Sequence, residues 1–246
     1  MHLTPRRGTG RTSAVTGLAV EAEGLGRRYG RRWALRDVSL AIPVGSVVML
    51  AGRNGSGKST LLRVLATAIR ADLGTARVAL HDVRTERREV RKRVALLAHH
   101  SHHYEALTPR ENLAIAASFL GREGDRPRLL ALLERVGLAG RADDPVSTLS
   151  AGMRKRLALA RVLLQEASVV LLDEPYGELD PPGFHLLDRV IGELRAGGAT
   201  VIVATHLLER GRALCDRALV LEEGRLVWSG PAAEVPEDVG AAGPGV

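Results

Sequence analysis

The chain has 246 residues, 45% hydrophobic and 26% charged, which is enough for one large domain with a full apolar core. The single cysteine, Cys215, excludes a disulfide framework and points to a reducing cytoplasm, and no apolar run approaches the roughly 20 residues that cross a bilayer. The net charge of +7 invites a nucleic-acid reading, but aromatics are only 3% and arginines sit beside acids, as in Glu86-Arg87-Arg88-Glu89, so no nucleic-acid partner is expected.

In chain order, residues 1–17 hold Arg6, Arg7 and Arg11 without the apolar stretch of a signal peptide, and read as a flexible basic tail. Val47–Ala51 is an apolar β-type run, and Thr60–Leu65 opens a helical pattern. Further strands are predicted at Ala76–Leu80 and Val94–Ala98. From about 104 to 165 the pattern is helical. Thr108-Pro109-Arg110-Glu111 makes a capping box with proline at the first helical position; Pro127–Val136 and Arg154–Gln165 follow as helices. Val169–Leu172, Thr200–Ala204 and Ala218–Leu221 are again strands, and the last turns through Glu222-Glu223-Gly224-Arg225 into Leu226-Val227-Trp228 as a hairpin. Residues 232–246, rich in Pro, Gly and Ala, read as a flexible tail. Strands alternating with helices argue for an α/β core with a mainly parallel sheet, interrupted by an inserted helical subdomain.

The residues that carry chemistry start with Gly52-Arg53-Asn54-Gly55-Ser56-Gly57-Lys58-Ser59-Thr60. This run fits G-x-x-x-x-G-K-[ST] between a strand and a helix: glycines let backbone N–H groups turn toward an anion, and the helix presents its positive end there. Lys58 would reach the β and γ phosphates, and Ser59 would hold Mg²⁺. Downstream, Val169–Leu172 runs into Asp173-Glu174. An acid at such a strand tip can hold Mg²⁺, and the next can polarise a water against the γ-phosphate. Leu149-Ser150-Ala151-Gly152-Met153 places a hydroxyl and small residues at a helix start, a second place able to receive an anion, which is read as serving the nucleotide of another copy.

With these residues in one collinear order, about Ala19 to Pro231 resembles the ATP-binding subunits of ABC transporters. Gly52–Thr60 looks like their Walker A loop, Val169–Glu174 like Walker B, and Leu149–Met153 like the LSGGQ signature. Asp180, in Glu178-Leu179-Asp180, falls in the D-loop, His206 after Thr205 is the switch histidine, and Tyr29 falls where the family stacks an aromatic on adenine. The resemblance implies a P-loop NTPase core in one domain over 18–231, with an antiparallel β subdomain beside the helical one. It implies ATP and Mg²⁺ as cofactors, with Ser59 and Asp173 on the metal, Glu174 as general base, and Lys58 and His206 at the γ-phosphate. It also implies a head-to-tail homodimer in which Ser150, Ala151, Gly152 and Met153 meet the partner copy's ATP. Integral membrane permease subunits would hold it at the cytoplasmic face of the bacterial inner membrane.

Some positions depart from that pattern. Ala151 and Met153 stand where glycine and glutamine are usual, and the γ-phosphate sensor glutamine falls on His99. His99 opens the run His99-His100-Ser101-His102-His103, which lacks a defined metal spacing. Histidine at the sensor, Leu149–Arg161 and Asp173-Glu174-Pro175-Tyr176 together look like the ATPase of the cytochrome c maturation, or haem, exporter. The alternatives are another small-molecule or lipid exporter and, less well matched, a non-transport ABC ATPase acting on ribosomes or DNA.

Overall fold

The computed structural model describes residues 17–98 and 102–236. Two sheets organise them. The larger has six strands in the order β10-β9-β3-β8-β7-β6: β3 (Val47–Ala51), β6 (Val94–Leu97), β7 (Val169–Asp173), β8 (Thr200–Ala204), β9 (Arg217–Glu222) and β10 (Arg225–Pro231). All of its neighbours pair in parallel except β9 and β10, which form the hairpin expected from Glu222-Glu223-Gly224-Arg225. β3, β7 and β8 are buried at every residue, which is why they read as uninterrupted apolar runs.

Alternate residues of these strands feed different cores. Val170, Leu172, Val201 and Val203 pack with the helices α3 (Pro109–Leu120), α4 (Arg126–Arg135), α5 (Ala151–Gln165) and α6 (Pro181–Ala196). Val169, Leu171, Ile202 and Ala204 face α1 (Lys58–Leu65) and the second sheet. The start of α3 is set by the predicted box: Glu111 N donates to Thr108 Oγ1 at 3.2 Å, and Thr108 N donates to Glu111 Oε2 at 2.9 Å.

The second sheet is antiparallel, in the order β2-β1-β4-β5, from β1 (Leu18–Tyr29), β2 (Arg32–Pro43), β4 (Leu73–Val78) and β5 (His81–Asp82). Its two longest strands have no counterpart among the strands picked out from sequence pattern, although the family resemblance implied such a subdomain. The reason is their broken alternation. β1 and β2 shift register at several points, with Gly24 and Asp37 at positive φ, so the period of two resets along each strand. β4 likewise sits three residues earlier than the predicted Ala76 start.

The chain also stays packed beyond the expected tail boundary. Ala232 and Val235 are buried against Met49, Ala51, Ala218 and Val220, so residues 232–235 belong to the fold. Apolar spacing after a strand, not Pro and Gly content, decides that. The short helices α2 (Arg87–Arg93) and α7 (Leu208–Leu214) and three 3-10 turns at Ala139–Arg141, Val146–Thr148 and Ala232–Glu234 complete the described elements. Among the described residues, no helix is long and apolar enough to cross a membrane.

Candidate active site

The phosphate-type loop lies where β3 gives way to α1. Ser56 N bonds back to Arg53 O at 3.1 Å, tightening the turn. Gly57 follows at φ 112 as the residue capping α1, and no side chain satisfies the helix's first N–H groups. A Cβ at Gly57 would stand 2.5 Å from the Ala34 carbonyl, so the position excludes any other residue. Open amides at a helix start are an anion site in waiting.

Lys58, only 6% exposed, donates from Nζ to Gly52 O at 2.7 Å and to Arg53 O at 3.2 Å, so its ammonium lies along the loop. Burial pulls this ammonium below the usual lysine range, opposed by the nearby Glu174 and Asp173 carboxylates.

The acids arrive from β7. Asp173 is 1% exposed and accepts from Ser59 Oγ at 2.8 Å. A buried carboxylate and a hydroxyl side by side are hard oxygen donors, the set that suits Mg²⁺ alongside phosphate oxygens and water. The next residue, Glu174, turns out of the strand at φ 45 and is held there by its N–H bonding to Ala204 O at 2.9 Å. Its Oε1 lies 3.8 Å from Lys58 Nζ and is buried without a hydrogen-bond partner. Its Oε2 lies 3.0 Å from His206 Nδ1. A neutral imidazole must carry its proton on Nδ1 to make that bond, which leaves Nε2 unprotonated. The His206 side chain is 66% exposed and Glu174 only 16%, so the pair has one buried end and one wet end.

An open cleft of about 520 Å³ lies along this assembly, with Tyr29, Asn54, Gly55, Lys58, Ser59 and Glu174 among its lining residues. Tyr29 is 47% exposed, and the Arg27 guanidinium lies over its ring at 4.8 Å from the centroid. Arg32 also lines the cleft, a cation that sequence reading passed over because it belongs to no motif. The structure therefore brings together Tyr29, the 52–60 loop, Asp173, Glu174 and His206.

It does not bring the remaining candidates to this cleft. Ser150 caps α5 by accepting from Met153 N at 3.2 Å, as its position before the helix predicts. Ala151 is exposed, and Met153, apolar where a polar residue was expected, packs against the helical core. A Cβ at Gly152 would come within 2.9 Å of the Glu178 carbonyl, so this glycine has a packing reason inside its own chain. Asp180 caps α6 through Gly183 N at 2.9 Å and pairs with Arg156 at 2.8 Å. That cap and that cation hold its carboxyl below the ordinary range. None of these five lines the cleft. The sensor candidate, His99, lies outside the described residues.

A buried cation that no motif signalled is Lys155 on α5, 4% exposed. Burial lowers its pKa, while Glu178, Asp173 and Glu174 oppose that shift. It places a positive charge behind the acidic strand end.

Known proteins resemble this chain in sequence and in fold. The ABC transporter family matches residues 35–177. The daunorubicin resistance ATP-binding protein DrrA3 of Streptomyces coeruleorubidus is 39% identical over 90% of this chain and 71% of that protein. The Nod factor export ATP-binding protein I of Burkholderia orbicola (strain AU 1054) is 36% identical over 87% of this chain and 71% of that protein. Among solved structures, a dimeric bacterial ABC transporter cassette superposes with a TM-score of 0.80 at 25% identity, over 87% of this chain and 98% of that one.

Proposed function

The chain belongs to the ABC transporter family as an ATP-binding, ATP-hydrolysing subunit, and on that premise we propose that it drives the export of a small molecule through membrane permease partners. The observation that carries the chemistry is that Glu174, lining the phosphate cleft, lies against Lys58 through one carboxylate oxygen and against His206 through the other. ATP lies in that cleft with its base against the open face of Tyr29 and its phosphates over the loop amides and the start of α1. Lys58 trades the Gly52 and Arg53 carbonyls for β- and γ-phosphate oxygens. Ser59 and Asp173 would hold Mg²⁺, which would neutralise charge on the phosphate oxygens.

Hydrolysis needs a water placed in line with the γ-phosphorus. Glu174 Oε1, buried and unpartnered, accepts the proton as the water oxygen bonds to phosphorus and the bond to the β-phosphate oxygen breaks. His206, tied to Oε2 through Nδ1, orients the carboxylate and offers Nε2 toward the same phosphate.

Two copies act head to tail. Ser150 and Ala151 stand exposed at a helix start outside their own cleft, with Gly152 and Met153 beside them, and this end of α5 meets the nucleotide of a second copy. The dimeric state of the solved cassette supports this arrangement. The permease partners hold the dimer at the cytoplasmic face of the membrane, and its closing and reopening shifts them between two states.

Relatives named for daunorubicin resistance and Nod factor export favour a small-molecule exporter over the haem pathway. Deleting the gene and restoring it as wild type or as Glu174→Gln separates the two. Sensitivity to daunorubicin and similar amphipathic compounds, cured only by wild type, supports the export reading. Loss of covalently attached haem in membrane fractions, cured only by wild type, would replace it with cytochrome c maturation.

A further inference from the structure

Asp188, in the middle of α6, joins two segments that flank the hydrolytic pair. Its Oδ1 accepts from the Tyr176 hydroxyl at 2.6 Å, and its Oδ2 pairs with the Arg210 guanidinium of α7. Arg210 also lies over two rings, 4.9 Å from the Phe184 centroid and 5.4 Å from that of Tyr176. Those rings meet edge to face at 5.3 Å. The Asp188 and Arg210 side chains are 27% and 30% exposed, so this is a half-buried, ring-covered ion pair, stronger than the exposed pairs elsewhere on the surface. Burial and Asp188 both raise the Tyr176 pKa, so the phenol stays a donor at neutral pH.

The sequence positions of these partners give the cluster its meaning. Tyr176 lies two residues after Glu174, and Arg210 four after His206. The His206 ring is mostly exposed, and its recorded hydrogen bond is to Glu174 itself, so the ring does not anchor its own loop. The backbone before it is tied by Thr205 N to Leu50 O at 3.2 Å, and after it the loop runs into α7, a helix of seven residues. One side of α7 rests on β3, where Gly211 leaves room for Met49. Arg210 fastens α7 to Asp188, and Arg212 Nη2 donates to Val235 O at 2.8 Å.

We propose that the Tyr176–Asp188–Arg210 cluster is a brace that sets the spacing between Glu174 and His206, making Asp188 and Arg210 positioning residues for hydrolysis. The proposal rests on Glu174 and His206 being the pair that handles the attacking water. Because each arm of the brace follows a different member of that pair, one carboxylate fixes both loops to the same point of α6. Loss of either arm loosens the segment that follows its member of the pair, while the phosphate loop and the Glu174 N–H bond to Ala204 O stay in place.

The test is a cycle in the full chain: Arg210→Met, Arg210→Lys, Asp188→Asn, His206→Ala and the Arg210→Met/His206→Ala double variant, with kcat, KM for ATP and Tm for each. Arg210→Met should lower kcat by about tenfold or more, the scale of a small misplacement, with KM changed by no more than about twofold. Arg210→Lys should recover most of kcat, and Asp188→Asn, which keeps the Tyr176 bond, should fall between. In the His206→Ala background, Arg210→Met should cost nothing further. An equal fold-loss in both backgrounds, or wild-type kcat in Arg210→Met, overturns the brace. Unchanged kcat in His206→Ala alone overturns the catalytic pair and the brace with it, and this result is read on a separate variant. If Arg210→Met does not fold, Arg210→Lys and Asp188→Asn carry the same comparison.

Discussion

Glu174→Gln isolates the proposed base. Glutamine keeps the size of the side chain and the backbone already at φ 45, so the change is one of charge and proton affinity. At 3.8 Å from Lys58 Nζ, the carboxylate attracts the ammonium by about 4 kcal/mol at an effective dielectric of ~20, less the desolvation that opposes it. Removing that attraction releases Lys58 toward phosphate, so nucleotide affinity should hold or rise. Losing the proton acceptor should slow hydrolysis by about 10²- to 10⁴-fold, a barrier increase of ~3–5 kcal/mol. Phosphate release at varied ATP gives kcat and KM, a fluorescent nucleotide gives affinity, and light scattering with ATP reports dimerisation. The expected pattern is a collapse of kcat, undiminished affinity and an ATP-stabilised dimer. A kcat within about threefold of wild type would refute the role of Glu174. Affinity weakened by more than about tenfold would refute the release of Lys58.

Lys58→Ala removes the phosphate clamp; two charge-assisted bonds of about 1.5–3 kcal/mol each correspond to a loss of ~10²-fold or more in nucleotide affinity, and retained tight binding would sink that role. Gly152→Ala drives a Cβ to 2.9 Å from the Glu178 carbonyl and should cost about 1–3 kcal/mol in urea unfolding; unchanged stability would mean that the two backbones are not in contact. His103 is held down to about 4, chiefly by burial, with Nε2 donating to Arg154 O at 3.1 Å. Below the ordinary imidazole range near ~6.5, the unfolded chain takes up a proton that the folded one refuses, so stability is full above that range and lost as pH falls toward the folded value. His103→Asn should flatten the fall in Tm across this window, and parallel profiles would refute it.

How much of this was legible beforehand depends on how local each feature is. The 52–60 loop, the Ser150 cap and the Thr108 box are contained within a few residues, where glycine, hydroxyl and proline chemistry acts on the adjacent backbone. β3, β7 and β8 could be picked out because burial on both faces leaves an uninterrupted apolar run. β1 and β2 could not, since bulges shift their inward faces partway along and erase the simple alternation. The packing of Ala232 and Val235 also depends on what β3 and β9 present to them.

That this chain cradles a polyphosphate and ends a buried strand in acids could be read from residue order alone, because both messages are written in contiguous residues. Which groups share a proton or a charge emerges from the folding of distant segments onto one another. Glu174 meets His206, 32 residues away, because β7 and β8 lie side by side with Asp173 opposite Ala204. Asp188 on α6 meets Tyr176, which follows β7, and Arg210 on α7, which follows β8. Such pairings follow from strand order and register, which are set by the burial of whole elements and leave no mark on the residues that they bring together.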